Sequence, residues 1–277
     1  MSVAASRPGP GEVVALEQTT TSSRADTAER SLNLALQGGG AHGAFTWGVL
    51  DRLLEDGRLR FQTVSGASAG AVNAVVLAAG MADGGRDGAR VKLEAVWRGI
   101  TELAQFSPLR SPALSWLARA GDWSIIGNTL LDLMTRLYSP SQLNPLDINP
   151  LRDLLARHVD FTAIAERRPV ALWVAATDVA TGQARLFATH EISLDVVIAS
   201  ASLPHLHQAV QIEERYYWDG GFSANPPLIP LVEASTADDT LIVQVNPDND
   251  LAVPTTASEI AARVHRLTFN APLRQEV

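Results

Sequence analysis

Two glycine-flanked strings in the sequence have the residue types of an acyl-transfer site. Gly66-Ala67-Ser68-Ala69-Gly70 matches G-x-S-x-G. Where such a pentapeptide joins a strand to a helix, its glycines leave room for a sharp turn that pushes the serine hydroxyl out over the sheet. A hydroxyl so placed is a candidate nucleophile toward a carbonyl carbon. The same five residues would equally suit a small-residue helix start with Ser68 as its N-cap. Upstream lies Gly38-Gly39-Gly40-Ala41-His42-Gly43. Its glycines let the backbone approach a ligand closely, and amides near a helix start can point at negative charge, including a tetrahedral oxyanion.

The glycine string also satisfies G-x-G-x-x-G, the form of a dinucleotide-binding turn. That reading needs an acidic residue at the end of the following strand, roughly 20 residues on, to hold a ribose. Here that strand ends in Ser65-Gly66-Ala67-Ser68, and no carboxylate stands there. No Lys-Ser or Lys-Thr follows the glycines either, which removes a P-loop. A turn whose glycines serve packing alone is the remaining alternative.

A serine needs a base within hydrogen-bond reach. His158, His190, His205, His207 and His265 follow Ser68, and only His265 comes after the last strand pattern. It lies in Arg263-Val-His-Arg266, a pattern that also suits a solvated helix face. His205 and His207 bracket Leu206 behind Pro204, where a loop could line a cleft. Asp219-Gly220-Gly221 is the preferred candidate, because it follows the aromatic run Tyr216-Tyr-Trp218 and its glycines make a tight turn. An Asp-Gly pair is also the ordinary chemistry of a β-turn. A carboxylate at its reference pKa of ~3.9 is a poor base, so Asp219 could serve only if apolar neighbours such as Trp218 and Phe222 raised that value.

The elements that would position these groups can be read from periodicity. Ser31–Gln37 has strand length and ends abruptly at the glycines. Ala44–Leu54 puts Phe45, Val49, Leu50, Leu53 and Leu54 on one helical stripe. Phe61–Ser65 is a second strand and Ala69–Met81 a small-residue helix. A strand, turn and helix thus occur twice, which predicts parallel strands with right-handed crossovers. Gly80–Gly88 reads as a turn-rich break, and residues 89–168 as a mostly helical insertion with starts at Ser111-Pro112 and Asn149-Pro150. Strands return at Val170–Thr177 and Gln183–Ala188, with Thr181-Gly182 as the hairpin turn. A helix over Ser193–Ser202, a strand pair near Val210 and Tyr217, a strand at Thr240–Val245 and a helix over Ser258–Val277 complete the pattern.

Composition narrows the function classes. The 277 residues are 46% hydrophobic and 19% charged, ordinary for a chain with a sizeable core, so wholly disordered, collagen and coiled-coil readings fall away. At ~150 residues per domain the count is one to two, and one large α/β domain over residues 31–277 is expected. Net charge is -8, and no run of Lys or Arg exceeds Arg167-Arg168, so nucleic acid is excluded as a partner. The sequence has no cysteine, which removes disulfides, thiolate zinc sites and cysteine nucleophiles. The longest apolar stretch, Val72–Ala82, contains Asn73 and falls short of the ~20 residues a membrane span needs. Residues 1–30 read as a disordered leader without a signal-peptide core, and the expected location is the cytoplasm, with peripheral contact at a membrane. The insertion carries Phe106, Leu109, Leu114, Trp116, Leu117, Trp123, Ile125 and Ile126 near Arg119. These suit an interfacial cap over an acyl-chain groove, or equally a cap packed as ordinary core.

Taken together, these blocks resemble the patatin-like phospholipase family, serine lipid acyl hydrolases with a Ser-Asp dyad. The resemblance rests on Gly38–Gly43, on Gly66-Ala67-Ser68-Ala69-Gly70 and on Asp219-Gly220-Gly221, in that order. Ala201-Ser-Leu-Pro204 before the Asp block and Asn225-Pro226-Pro227 after it add to the likeness, which runs from Leu32 to Asn246. It implies a three-layer α/β/α sandwich with a mostly parallel sheet and a helical cap. It further implies a lipid ester substrate, no metal or other cofactor, Ser68 as nucleophile, Asp219 as the group that takes and returns its proton, and an oxyanion hole from Gly38, Gly39 and Gly40. His42, Gly43, Gly66, Gly70, Gly220 and Gly221 are the supporting motif positions. The chain departs from the family at His42, where Arg or Lys is usual, so any help from that side chain would depend on pH. Phe269-Asn270-Ala-Pro-Leu-Arg274 resembles a segment of bacterial members that commonly continue further, which reads this chain as a shortened version. Two alternatives stand beside this reading: an esterase using Ser68 and His265, and a non-catalytic lipid-binding protein that retains the fold.

Overall fold

The first strand shows why the sheet is buried on both faces. β1 (Arg30–Leu36) is buried from Leu32 onward, at consecutive residues that point to opposite faces, as expected of a parallel strand covered on both sides. The structure is a computed structural model that describes residues 29–105, 139–144, 146–247 and 251–277. Most of the expected leader lies outside the described residues. So do Ser111-Pro112 and the apolar residues from Phe106 to Ile126, Trp116 and Trp123 included.

After β1 come α1 (Gly43–Asp56), β2 (Leu59–Ala67) and α2 (Ala69–Gln105). They are followed by α3 (Pro140–Leu143), α4 (Pro150–His158) and α5 (Phe161–Arg167). The chain then forms β3 (Ala171–Asp178), β4 (Ala184–Ala188), α6 (Leu194–Ser200), β5 (Val210–Ile212) and β6 (Arg215–Asp219). It ends with α7 (Ile229–Glu233), β7 (Thr240–Val243) and α8 (Ala257–Glu276). The seven strands make one sheet with the hydrogen-bonded path β5-β6-β3-β2-β1-β7, and β4 pairs with β3. β7, β1, β2 and β3 run parallel, while β4, β5 and β6 are antiparallel to their neighbours. Helices flank this sheet in the α/β/α arrangement. α2 packs on β1, β2 and β3, and α7 packs on β1 and β2.

The core centres on α2. Between Ala71 and Ala79 every apolar side chain of α2 is buried, which is the pattern of a helix enclosed by neighbours. Its helical path breaks only at Gly84 and Gly85, where φ is −153° and 62°. The expected Gly80–Gly88 break therefore shrinks to two residues. Gly80 and Gly88 instead let the two arms touch, since a Cβ on Gly80 would sit 2.3 Å from the Ala89 Cα. The second arm buries Ala89, Leu93, Val96 and Trp97, and α4 and α5 pack on it through Leu154, Leu155 and Ile164. The described ends of the 89–168 stretch thus belong to the core, and the cap reading concerns residues outside the described set. One helix-stripe expectation fails. Phe45 is 61% exposed, and Thr46 is buried alongside the expected Leu50 and Leu54, because the packing face starts at Gly43 rather than at Phe45.

Candidate functional site

Pairing on β3 decides which chain ends meet. Trp173, Val174 and Ala175 pair with both β2 and β4, so those strands flank β3. Ala176 and Thr177 pair with both β4 and β6, so β6 takes the edge on which β2 has just ended. β2 arrives from one direction and stops at Ala67, opposite Ala175. β6 arrives from the other and stops at Asp219, opposite Ala176. The two strands meet head to head, one residue of rise apart, about 3.3 Å along β3. Ser68 is the next residue after Ala67.

Ser68 sits in the left-handed region with φ 54°, a conformation that costs a non-glycine residue about 1–3 kcal/mol and persists only where the surroundings over-determine it. The flanking glycines do so by contact. A Cβ on Gly66 would lie 2.5 Å from the Gly70 carbonyl carbon, and one on Gly70 would lie 2.0 Å from the Leu36 oxygen. The Ser68 N–H donates to Ser200 Oγ at 2.9 Å, which fixes the elbow from α6. Ser68 is 7% exposed, and its Oγ donates to Asp219 Oδ2 at 2.7 Å.

Asp219 has no exposed surface. Its second carboxylate oxygen accepts from the Gly221 N–H at 2.8 Å, its own N–H donates to the Ser202 carbonyl, and its carbonyl accepts from Thr177 Oγ1. Burial pushes its carboxyl up to about 7, against the opposing pull of the hydrogen bonds from Ser68 and Gly221. The expected desolvation is present, but Trp218 and Phe222 are each only half-buried. At the same sheet edge Ala67, Ala175 and Ala224 pack together.

The glycine loop lies against the elbow. A Cβ on Gly38 would stand 2.7 Å from Ser68 Cβ. Gly40 has φ 57°, and residues Gly40–His42 form one 3-10 turn. The Gly38 N–H is already engaged, donating to Asn225 Oδ1 at 2.7 Å. Among the described residues no acceptor is bound to the N–H of Gly39 or Gly40. His42 is exposed on this turn. Gly43 closes the loop beneath Ala69 and Trp97, and its carbonyl accepts from Asn73 Nδ2, while Trp97 Nε1 donates to Asn73 Oδ1. Gly220 packs on the Ala175 carbonyl and Gly221 on the Phe269 ring.

The structure therefore brings Ser68, Asp219 and the glycine loop together, and it does not bring His265 to them. His265 stacks on Phe269 with ring centroids 4.4 Å apart. The neutral amides Asn73 and Asn225 and the hydroxyl of Ser200 also belong to the site; the sequence reading gave them no role there, although Asn225 stood in the Asn225-Pro226-Pro227 string that supports the family likeness. The one signal for Asn73 was its place in an otherwise apolar helix. Among the described residues no group of His, Asp and Glu could hold a metal ion, and no helix is long and apolar enough to cross a membrane.

A serine elbow and a buried carboxylate meeting at the edge of an α/β/α sheet, under a glycine loop, place the molecule in the broad class of proteins with a serine–carboxylate pair. Residues 34–232 match the model of the patatin-like phospholipase family, a span that includes all three sequence blocks. The chain belongs to the patatin-like phospholipase family. Among solved structures it is similar to VipD from Legionella pneumophila, with 19% identity and a TM-score of 0.45 over 77% of this chain and 49% of that one. The chain spans about half the length of that structure. No curated protein matches the sequence.

Proposed function

We propose that this protein is a lipid acyl hydrolase that cleaves carboxylic esters through an acyl-enzyme on Ser68. The observation that carries the reading is the 2.7 Å hydrogen bond from Ser68 Oγ to a fully buried Asp219. A carboxyl pushed up to about 7 is poised to hold a proton in one step and release it in the next near neutral pH. Ser68 Oγ attacks the ester carbonyl carbon as its proton passes to Asp219. The tetrahedral oxyanion takes hydrogen bonds from the amides of Gly39 and Gly40, which have no other acceptor among the described residues. Gly38 is set aside as a direct donor because Asn225 already holds its N–H. Collapse of the intermediate expels the alcohol or lysolipid as an alkoxide, which collects the proton from Asp219. Water then attacks the acyl-Ser68 carbonyl as Asp219 takes its proton, and collapse of the second intermediate breaks the bond from Ser68 Oγ to the acyl carbon, Asp219 returning the proton to Oγ as the fatty acid leaves. No step calls for a metal.

The test is a rate comparison on a p-nitrophenyl ester and on phosphatidylcholine vesicles. Ser68→Ala and Asp219→Asn should each lower kcat/KM by about 10³-fold or more, as removal of a nucleophile or its base does. Equal rates in wild type and both variants would overturn the reading and favour a lipid-binding protein without activity. His265→Ala should retain activity; its loss would point to the Ser68–His265 esterase instead.

A further inference from the structure

Three buried amide side chains take no part in the proton transfer, yet they run beneath the glycine loop as a connected set. They end in a helix that lies beyond residues 34–232, the stretch matched by the family model. Asn225, with no exposed surface, accepts the Gly38 N–H at 2.7 Å and donates through Nδ2 to the Phe269 carbonyl at 2.9 Å. Gln37, the residue before the loop, is equally buried. Its Oε1 accepts from the amides of Val245 and Asn246 at 2.9 Å each, and its Nε2 donates to Asn270 Oδ1 at 3.1 Å. Asn270 donates in turn to the Pro247 carbonyl at 3.0 Å.

Phe269 and Asn270 are consecutive on α8, so one turn of that helix reaches both sides of the site. Through Asn225 and Gln37 it holds the glycine loop. Through the Phe269 ring it backs the Asp219 turn, since the ring fills the place a Cβ on Gly221 would need and packs 4.9 Å from the Phe222 ring centroid. The contacts at position 225 require a carboxamide. Asn offers an acceptor and donors at one end of a short side chain, whereas an ionised Asp could only accept and an Ala could do neither. An unpaired amide at such depth would be costly, so these pairings hold the segments together.

We propose that Asn225 is a positioning residue for the oxyanion loop, and that α8, through Phe269 and Asn270, is a required part of the acyl-transfer site. The proposal rests on the Ser68–Asp219 reading. Asn225 touches neither the substrate nor the reacting atoms. It commits the Gly38 amide to structure and so sets where the neighbouring amides of Gly39 and Gly40 stand. Those donors act on charge that exists only in the transition state, so misplacing them lowers kcat and leaves ground-state binding little changed.

The experiment measures kcat, KM, the pH profile and thermal unfolding for the full chain carrying Asn225→Ala or Asn270→Ala, with wild type and Ser68→Ala alongside, on a p-nitrophenyl ester. Asn225→Ala is expected to lower kcat by about 10²-fold, the scale of a 1 Å misplacement, with KM little changed. The acid limb of its pH profile should keep the wild-type midpoint, because Asp219 stays buried. Asn270→Ala should lower kcat in the same manner by a smaller factor. Unchanged kcat in a cooperatively folding Asn225→Ala overturns the proposal, as does a loss confined to KM or one accompanied by a displaced acid limb. Where Asn225→Ala does not unfold cooperatively, Asn270→Ala, which leaves the Asn225–Gly38 bond in place, decides by the same criteria. A wild type no faster than Ser68→Ala overturns the underlying dyad reading instead, and that outcome is visible before either amide variant is compared.

Discussion

Stability and activity make opposite demands on the carboxylate at position 219. In the unfolded chain an Asp releases its proton near 3.8, whereas in the fold burial holds the proton up to about 7. Between those values the unfolded state binds fewer protons than the folded one, so stability falls as pH rises, by about 4 kcal/mol across the window. Asp219→Asn keeps the shape and removes the ionisation. Its stability relative to wild type should therefore improve from pH 4 to about pH 7 and level off above that in urea unfolding, and a constant difference would contradict the burial argument. The proposed catalysis runs the other way, because a base must be ionised to accept the Ser68 proton. The wild-type kcat/KM should rise through about pH 7 and level off above it. Ser68 and Asp219 were legible as candidates because each sits in a glycine-marked string that few other uses require together. The roles of Asn225, Gln37 and Asn270 were not, even though Asn225 and Asn270 stood in strings that resemble the family. An amide in the sequence gives the same polar signal on a surface as in a core, and only the fold tells them apart.

Periodicity located most of the elements, and where it failed the cause was local contact. The hairpin turn at Thr181-Gly182 follows from turn chemistry, and Gly182 does adopt φ 71°. The N-cap at Asn149 also stands, with its side chain accepting from the Leu151 and Arg152 amides. The strand over Thr240–Val245 stops at Val243, because the next amides, of Val245 and Asn246, turn to Gln37 instead of continuing the ladder. What no pattern revealed is that β6 occupies the same edge of β3 as β2, since each pairs with β3 and not with the other, and such long-range pairing leaves no periodic trace. The elbow between β2 and α2 has the least tolerance in the fold. Gly70→Ala would push a methyl to 2.0 Å from the Leu36 carbonyl, against backbone that cannot rotate away. It should cost about 3 kcal/mol or more, or prevent folding altogether, as overpacking against main chain does. Urea unfolding measures this directly, and a loss under about 1 kcal/mol would show that the elbow relaxes more than its contacts suggest.

For the molecule as a whole, charge is the feature that bears most on the proposed lipid substrate. A net charge of -8 repels an anionic bilayer, and salt screens that repulsion over about 10 Å at 0.1 M. Fatty-acid release from vesicles rich in anionic lipid should therefore increase as NaCl is added, while release from zwitterionic vesicles should stay level. A fall with salt would mean that a local cationic surface governs approach. Composition by itself named no substrate class, and the family match is what the proposed lipid ester rests on.

The head-to-head arrival of β2 and β6 also has a consequence in time. A ribosome releases Ser68 long before Asp219, which is 151 positions later, and the Asn270 that steadies the glycine loop emerges later still. Through most of synthesis the serine is an alcohol without a partner, no more reactive than any other in the cell. Chains cut short by stalling or proteolysis between Ser68 and β6 lack the Ser68–Asp219 hydrogen bond, and so cannot carry out the proposed acyl transfer.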